Sequence, residues 1–325
     1  MHPAFSVLFL TTLIGVGQGL FLALYTAQIY SLFGLLPSQS AGFYAVGSVL
    51  ALAFLVLGLL ASFFHLGRPM RAWRSAAQWR TSWLSREVIA LPALMGLVAL
   101  YGFAHFAGWQ APFFTLPGDH PVDATLLLGA AATLTCFALF LCTGMIYACL
   151  RFLQEWHTPL TVINYTLLGG ASGFLAATAY AAAASPGLVG FFGGWTGVIT
   201  ALAAAGRIAS LVRNARLKPK SNLATAIGVR HPRIVQKSAG FLGGSFNTRE
   251  FFHGRRHAFL RSVKWLFLVL AFPVPLALLA AGMGVASPAL LLGAFLLQYC
   301  GLIAERWFFF AQANHPQNLY YQAVS

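Results

Sequence analysis

Residues 42–87 read GFYAVGSVLALAFLVLGLLASFF followed at once by HLGRPMRAWRSAAQWRTSWLSRE. The first 23 residues carry no charge, and as a helix rising 1.5 Å per residue they are long enough to cross a hydrocarbon core roughly 30 Å thick. The next 23 hold Arg68, Arg71, Arg74, Arg80 and Arg86. Polar groups are costly beside hydrocarbon, so a cluster of this kind at the end of an apolar run needs a function or a polar partner at the membrane surface.

The rest of the chain reads the same way. Of 325 residues, 59% are hydrophobic and 8% charged, with a mean hydropathy of +0.75, whereas a soluble domain carries about 25% charged residues. The ~10-residue alternating segments of a membrane β-barrel are missing. The expected fold is therefore all-α, a single polytopic membrane domain over residues 1–325. Eight segments are long enough to span: 5–33, 42–64, 87–108, 124–150, 160–184, 188–212, 263–285 and 288–311. Prolines mark the loops between several of them. Gly169, Gly170, Gly173, Gly193, Gly194 and Gly197 recur within spans five and six, where small residues let helices approach closely. No Lys or Arg precedes the first apolar run, which is too long for a signal peptide, so it reads as a retained helix. Cys136, Cys142, Cys149 and Cys300 lie within apolar spans and form no CxxC pair. They read as small buried hydrophobes, and the chain is expected to hold neither an iron–sulfur cluster nor a metal.

Charge orders the loops. Eight spans place both termini on one side, together with residues 65–86, 151–159 and 213–262. The opposite loops, 34–41, 109–123, 185–187 and 286–287, contain no Lys or Arg, and Asp119 and Asp123 are their only charges. All 20 basic residues fall to the first side, if Arg207 faces the membrane edge there. The positive-inside rule then puts both termini and the basic loops in the cytoplasm. The net charge of +14 reports topology and membrane lipid, not nucleic acid. The segment 213–262 mixes its basic residues with Phe241, Phe246, Phe251, Phe252 and Phe259. A solvated tether favours polar residues with few aromatics. Loop 65–86, with Arg71, Arg74 and Arg80, and the long segment, with Phe246 and Phe252, are expected to form one docking face for a partner subunit. A solvated loop beside anionic headgroups is the alternative.

His-Leu-Gly-Arg-Pro at 65–69, Arg-Ala-Trp at 71–73 and Thr-Ser-Trp-Leu-Ser-Arg-Glu at 81–87 resemble the anchor subunit of the dimethyl sulfoxide reductase family, and the likeness extends through the eight-span layout. The segments IGVRHPRIVQKSAGFLGGSFNTREFFHG and AERWFFFAQANHPQNLYYQ look more like the anchors of sulfite-oxidising relatives. The resemblance implies a complex in the bacterial inner membrane. A molybdopterin subunit does the substrate chemistry, an iron–sulfur subunit relays electrons, and the anchor exchanges them with ubiquinone or menaquinone, without substrate chemistry of its own. It also carries over two positions, His65 and Glu87. The basic segment 213–262 is longer than in the classical reductase anchor and leaves the substrate and the direction of electron flow open.

These residues suit a quinone, whose reduction takes two electrons and two protons at carbonyl oxygens. A histidine can donate to a carbonyl and titrates near neutral pH, and His65 ends the second span where a quinone head could meet it. A histidine satisfying helix carbonyls is the structural alternative. Arg68 can stabilise an anion or snorkel to lipid phosphate. Glu87 is read as the acid that opens the third span, able to relay protons between water and the pocket, with Arg80 or Arg86 placed to pair with it. An acid at a helix start is also favoured by the helix dipole. Trp83 either stacks on a quinone ring or belongs to an interfacial belt with Trp73 and Trp79. Glu305 and Arg306 form a structural pair or a second proton route.

Three rivals are weaker. Membrane haem b needs two histidines facing each other well inside spans, and only His105, near the end of the third, approaches that. A secondary transporter predicts broken helices, ionisable residues near the midplane and internal repeats. A metal-dependent hydrolase needs a ligand cluster such as HExxH, which the sequence lacks. The charge count makes the first prediction. Topology reporters fused at Ser325 and within residues 109–123 should report opposite sides, with Ser325 cytoplasmic, and a C-terminus on the far side would overturn the orientation.

Overall fold

The computed structural model describes residues 1–235, 254–316 and 318. Among these, eight helices are long and apolar enough to cross a bilayer, as the sequence predicts. They are α1 (Phe5–Leu32), α2 (Ala41–Phe63), α3 (Trp83–Phe106), α4 (Ala124–Ala148), α5 (Pro159–Ala184), α6 (Val189–Ala215), a seventh span made of α8 (His257–Ala271) and α9 (Pro273–Gly284), and α10 (Pro288–Ala311). The short helix α7 (Leu223–Ile227) lies between the sixth and seventh spans.

Polar caps set the helix starts. Ser40, Ser82, Asp123 and Ser287 each accept a backbone N–H from three residues ahead, and Pro159 and Pro288 occupy first-turn positions where no donor is lost. Capping by Ser82 starts α3 four residues earlier than the hydropathy pattern suggests, because Trp83, Leu84 and Ser85 are already helical. Glu87 is thus the fifth residue of α3 rather than its opening acid. Residues 69–76 form a 3₁₀ helix (Pro69–Ala76). On the opposite side, Phe114–Leu116 and His120–Val122 pair as a two-stranded antiparallel ribbon with Phe114 opposite Val122. Its turn uses Gly118 at φ 91° and Asp119 at φ 58°.

The seventh span is broken at Phe272, and residue 273 is proline. Pro275 has no N–H to give the carbonyl four residues back, Ala271, and an unpaired carbonyl is expensive inside a membrane. Gln298 of α10 reaches across and donates its Nε2 to Ala271 O at 3.3 Å. Gly301, one turn further along α10, allows the close crossing, since a Cβ there would run into the Leu270–Ala271 backbone.

Helices α1 and α5 are the most enclosed spans. Helices α2 and α4 pack on α1, α3 packs on both of them, and α4, α6 and α10 pack on α5. The α1–α5 contact is made by two four-residue glycine repeats, Gly15 with Gly19 and Gly169 with Gly173. A Cβ on Gly15 would lie 3.2 Å from Gly169 Cα, and one on Gly173 would collide with the Gly19–Leu20 backbone. Without water to drive helices together, such close backbone packing is a main source of association. Gly173→Ala should therefore cost about 1–3 kcal/mol by overpacking. Gly194→Ala, where nothing lies within 4 Å, should cost nothing. Thermal unfolding of the two variants in detergent checks the contrast, and equal stability would remove the glycine contact from its central place.

Candidate functional site

Glu87 points into the bundle and is 8% exposed. The Thr143 hydroxyl of α4 donates to its Oε1 at 2.5 Å. This bond replaces the expected pairing with Arg80 or Arg86. Arg86 instead donates to the carbonyls of Trp79 and Arg80 at 2.9 and 2.8 Å and stacks over Trp83 at 4.2 Å. Glu87 lines a cavity of about 20 Å³ with Thr12 and Gln18 of α1, Thr143, Tyr165 of α5 and Arg306 of α10. Gln18 also donates to Cys136 O at 2.8 Å, tying α1 to α4.

A second cavity, about 10 Å³, shares Tyr165 and Arg306 with the first. Arg207 of α6 and Glu305 of α10 lie along it. Arg207 Nε is 2.6 Å from Glu305 Oε1, an ion pair whose N–H is not aligned as a hydrogen bond, and Arg306 Nε donates to Oε2 at 2.5 Å. Arg207 is 2% exposed and Glu305 0%, so Arg207 does not face the membrane edge as expected. A lone arginine within a span must find an acid, and Glu305 and Glu87 are the acids that spans offer. Both guanidiniums also lie over aromatic faces, Arg207 over Phe267 at 5.4 Å and Arg306 over Tyr165 at 4.0 Å, which favours the charged form where water is scarce. The sequence signal for this cluster was the single Arg in the apolar run AAAGRIASLV.

The second cavity also touches Glu155, in the loop between α4 and α5, and Glu155 borders an open cleft of about 530 Å³ on the basic side with Asn214, Lys218 and Asn314. Burial raises the Glu155 carboxyl above its ordinary pKa. Glu87, Thr143, Tyr165, Arg207 and Glu305 all sit four to eight residues from the basic-side ends of their helices, a depth of roughly 6–12 Å.

An apolar groove of about 530 Å³ runs between α1, α2 and α10, walled by Phe9, Leu13, Leu57, Leu60 and Phe64. Its one phenol, Tyr299, meets the Thr12 hydroxyl at 3.2 Å, and Thr12 lines the Glu87 cavity. One hydroxyl contact thus joins the groove to a residue that lines the cavity of the buried acid.

His65 follows Phe64, whose ring lines this groove, and lies exposed in the turn after α2. Partial burial lowers its imidazole pKa from the ordinary value, so it is neutral at pH 7 with one donor and one acceptor. His65 is not among the residues lining the Glu87 cavity. Arg68, Arg71, Arg74 and Arg80 are exposed on the basic side, and Trp83 is half-buried. Arg74 and Arg80 lie over Trp73 and Trp79 at 5.5 and 5.3 Å. Phe246 and Phe252 fall outside the described residues. Cys136 and Cys142 are buried, but Cys149 and Cys300 are exposed, so the reading as small buried hydrophobes holds for two of the four. His105 is buried between Tyr44, stacked at 4.6 Å, and Tyr101, edge-on at 4.6 Å.

These features define an eight-span integral membrane protein that buries an acid and an ion cluster near one face, beside a groove open to lipid. The family model of the DMSO reductase anchor subunit (DmsC) matches residues 1–311, and the chain belongs to that family. It is therefore a membrane anchor subunit of a molybdoenzyme complex, as the motifs at 65–87 imply. It is 58% identical to a subunit of the sulfite dehydrogenase of Allochromatium vinosum, over 325 residues and the whole length of both chains.

The ion cluster sets a stability prediction. Removing one partner of a buried pair typically costs about 3–5 kcal/mol. Glu305→Gln strands two guanidiniums and should show that loss, whereas Arg207→Met leaves Glu305 with Arg306 and should lose less. Thermal unfolding in detergent gives the order, and an equal or reversed order would mean that Glu305 is not the hub.

Proposed function

We propose that this chain is the quinone-exchanging anchor of a complex that oxidises sulfite at a molybdopterin subunit and passes the electrons through an iron–sulfur subunit into the quinone pool of the bacterial inner membrane. The observation that carries this reading is the Thr12–Tyr299 contact, which joins a lipid-facing groove to the cavity of Glu87. The sulfite assignment is supported by the sulfite dehydrogenase relative, similar over its full length.

The groove fits a quinone ring with its isoprenoid tail. Its walls are apolar, its size lies in the usual range for small-molecule sites, and its polar edge offers Tyr299, with His65 just beyond Phe64. A bound quinone supplies the two-electron, two-proton carrier chemistry. This chain orients the ring, excludes water from the groove and moves protons. His65, neutral at pH 7, donates to a carbonyl oxygen, and Arg68 provides positive charge where the oxygen gains electron density. Trp83, carrying Arg86 on its face, is assigned to ring stacking at the basic-side end, although it does not line the groove. Glu87, buried with the Thr143 hydroxyl, holds the proton that the oxygen takes up or the one it releases. Glu305 belongs to the proton-handling region through Arg306, which lines the Glu87 cavity.

Loop 65–86 and segment 213–262 form the docking face for the iron–sulfur subunit, with Arg71, Arg74 and Arg80 among its charges and Phe246 and Phe252 in its apolar part. Both termini and this face lie in the cytoplasm. The rival transporter reading anticipates broken helices, and the seventh span has a break. There, however, Gln298 donates to the freed carbonyl of Ala271, so that group is satisfied by packing and is not left to bind an ion.

His65→Arg keeps a donor but removes the titrating group and adds bulk, and Glu87→Gln keeps size while removing the charge. Each should lower quinone-linked turnover by about tenfold or more, since one acid–base group typically contributes 10²–10⁴-fold. Dye-linked activity of the catalytic subunit should persist. The measurement is the ratio of the two rates in membranes, with assembly checked by immunoblot. Full quinone activity in both variants would move the quinone site elsewhere.

A further inference from the structure

Resting on the quinone-exchange reading above, we infer that the protons travel between the basic-side surface and Glu87 along a water-bridged path that enters at Glu155, passes the Arg207–Glu305–Arg306 cluster and crosses between two cavities at the Tyr165 hydroxyl.

Continuity is the first observation. Glu155 lines both the open cleft and the second cavity. Tyr165 and Arg306 line both the second cavity and the first, and Glu87 lies in the first.

The second observation is chemical. Besides the two facing atoms of the Arg207–Glu305 ion pair, five polar atoms of residues lining the second cavity, Asn164 Oδ1, Tyr165 Oη, Arg207 Nη2, Arg306 Nη1 and Gln312 Nε2, are buried without a well-aligned hydrogen bond in the protein, the Tyr165 hydroxyl lying beside Arg306 and Tyr147. Two are acceptors or hydroxyls and three are donors. A buried water makes two to four hydrogen bonds and needs roughly 10–15 Å³, so cavities of about 10 and 20 Å³ with this lining are sites for single waters.

The roles divide by chemistry. Guanidiniums have no acceptor and do not deprotonate in proteins. Both Glu305 oxygens are engaged by them. The cluster therefore orients the water of the second cavity. The carriers are the Glu155 carboxyl, the two waters and the Tyr165 hydroxyl, which can turn its one proton from one cavity to the other. Each step breaks one O–H bond and forms the next, and the electrons arrive separately from the iron–sulfur subunit. The raised pKa of Glu155 brings the outermost carrier closer to neutral pH. Further into the membrane along the same helices, Phe21, Leu94 and Leu139 are fully buried and packed together. Proton exchange is confined to one face.

Tyr165→Phe removes the hydroxyl but keeps the ring over Arg306. It should lower quinone-linked turnover about tenfold and raise its H₂O/D₂O rate ratio, leaving quinone KM, dye-linked rate and assembly unchanged. Glu155→Gln should lower the same rate less, because water can also enter from the cleft. Wild-type turnover and isotope ratio in Tyr165→Phe, with Glu87→Gln still defective, would overturn the path and leave the quinone assignment standing. Wild-type behaviour in both would sink the two together. A readout free of any variant is a high-resolution cryo-EM map of the wild-type complex in lipid nanodiscs. Ordered density in both cavities is expected, and two dry cavities would overturn the path.

Discussion

Close backbone contact between α1 and α5 is what the interior depends on. Gly15, Gly19, Gly169 and Gly173 carry no side chains to hold the two helices apart, so Thr12 and Gln18 of one and Tyr165 of the other come to share a cavity. A larger residue at any of these positions would separate the polar residues that the cavity needs to be wet. In a bilayer the hydrophobic effect offers little drive for one helix to pack on another, and surface fit takes its place. The same reasoning explains Gly301, which brings α10 against the broken seventh span closely enough for Gln298 to reach Ala271 O.

Once that frame exists, electrostatics decides the rest. A charge this deep is tolerated only with a partner, and Arg207, Glu305 and Arg306 find theirs in one cluster, while Glu87 takes the Thr143 hydroxyl. Glu305 neutralises one guanidinium directly and holds the second, whose other side is turned to the Glu87 cavity and to the face of Tyr165. Such clusters seldom add stability over an apolar core of equal volume. The proton route proposed above would give this cluster a use close to one membrane face. On the proposed reading, protons are taken up on the side from which electrons arrive, and quinone reduction would then move little net charge across the bilayer.

Much of this was legible in the chain itself. Eight apolar runs, a charge count with every Lys and Arg on one side, and the 65–87 motif are local properties of sequence. They determined the span number, the expected orientation and the family. Tertiary structure alone decided the partners of the buried charges. Glu87 was expected to meet Arg80 or Arg86, its sequence neighbours, but a helix carries side chains at different positions to different faces. Arg86 turns back to the loop carbonyls while Glu87 turns inward to Thr143, fifty-six residues away. Arg207 was expected at the membrane edge and instead meets Glu305, because hydropathy measures how apolar a span is and not which neighbour its one charge will face. The two cavities arise where six helices meet, α1, α3, α4, α5, α6 and α10, and no single stretch of sequence contains that meeting.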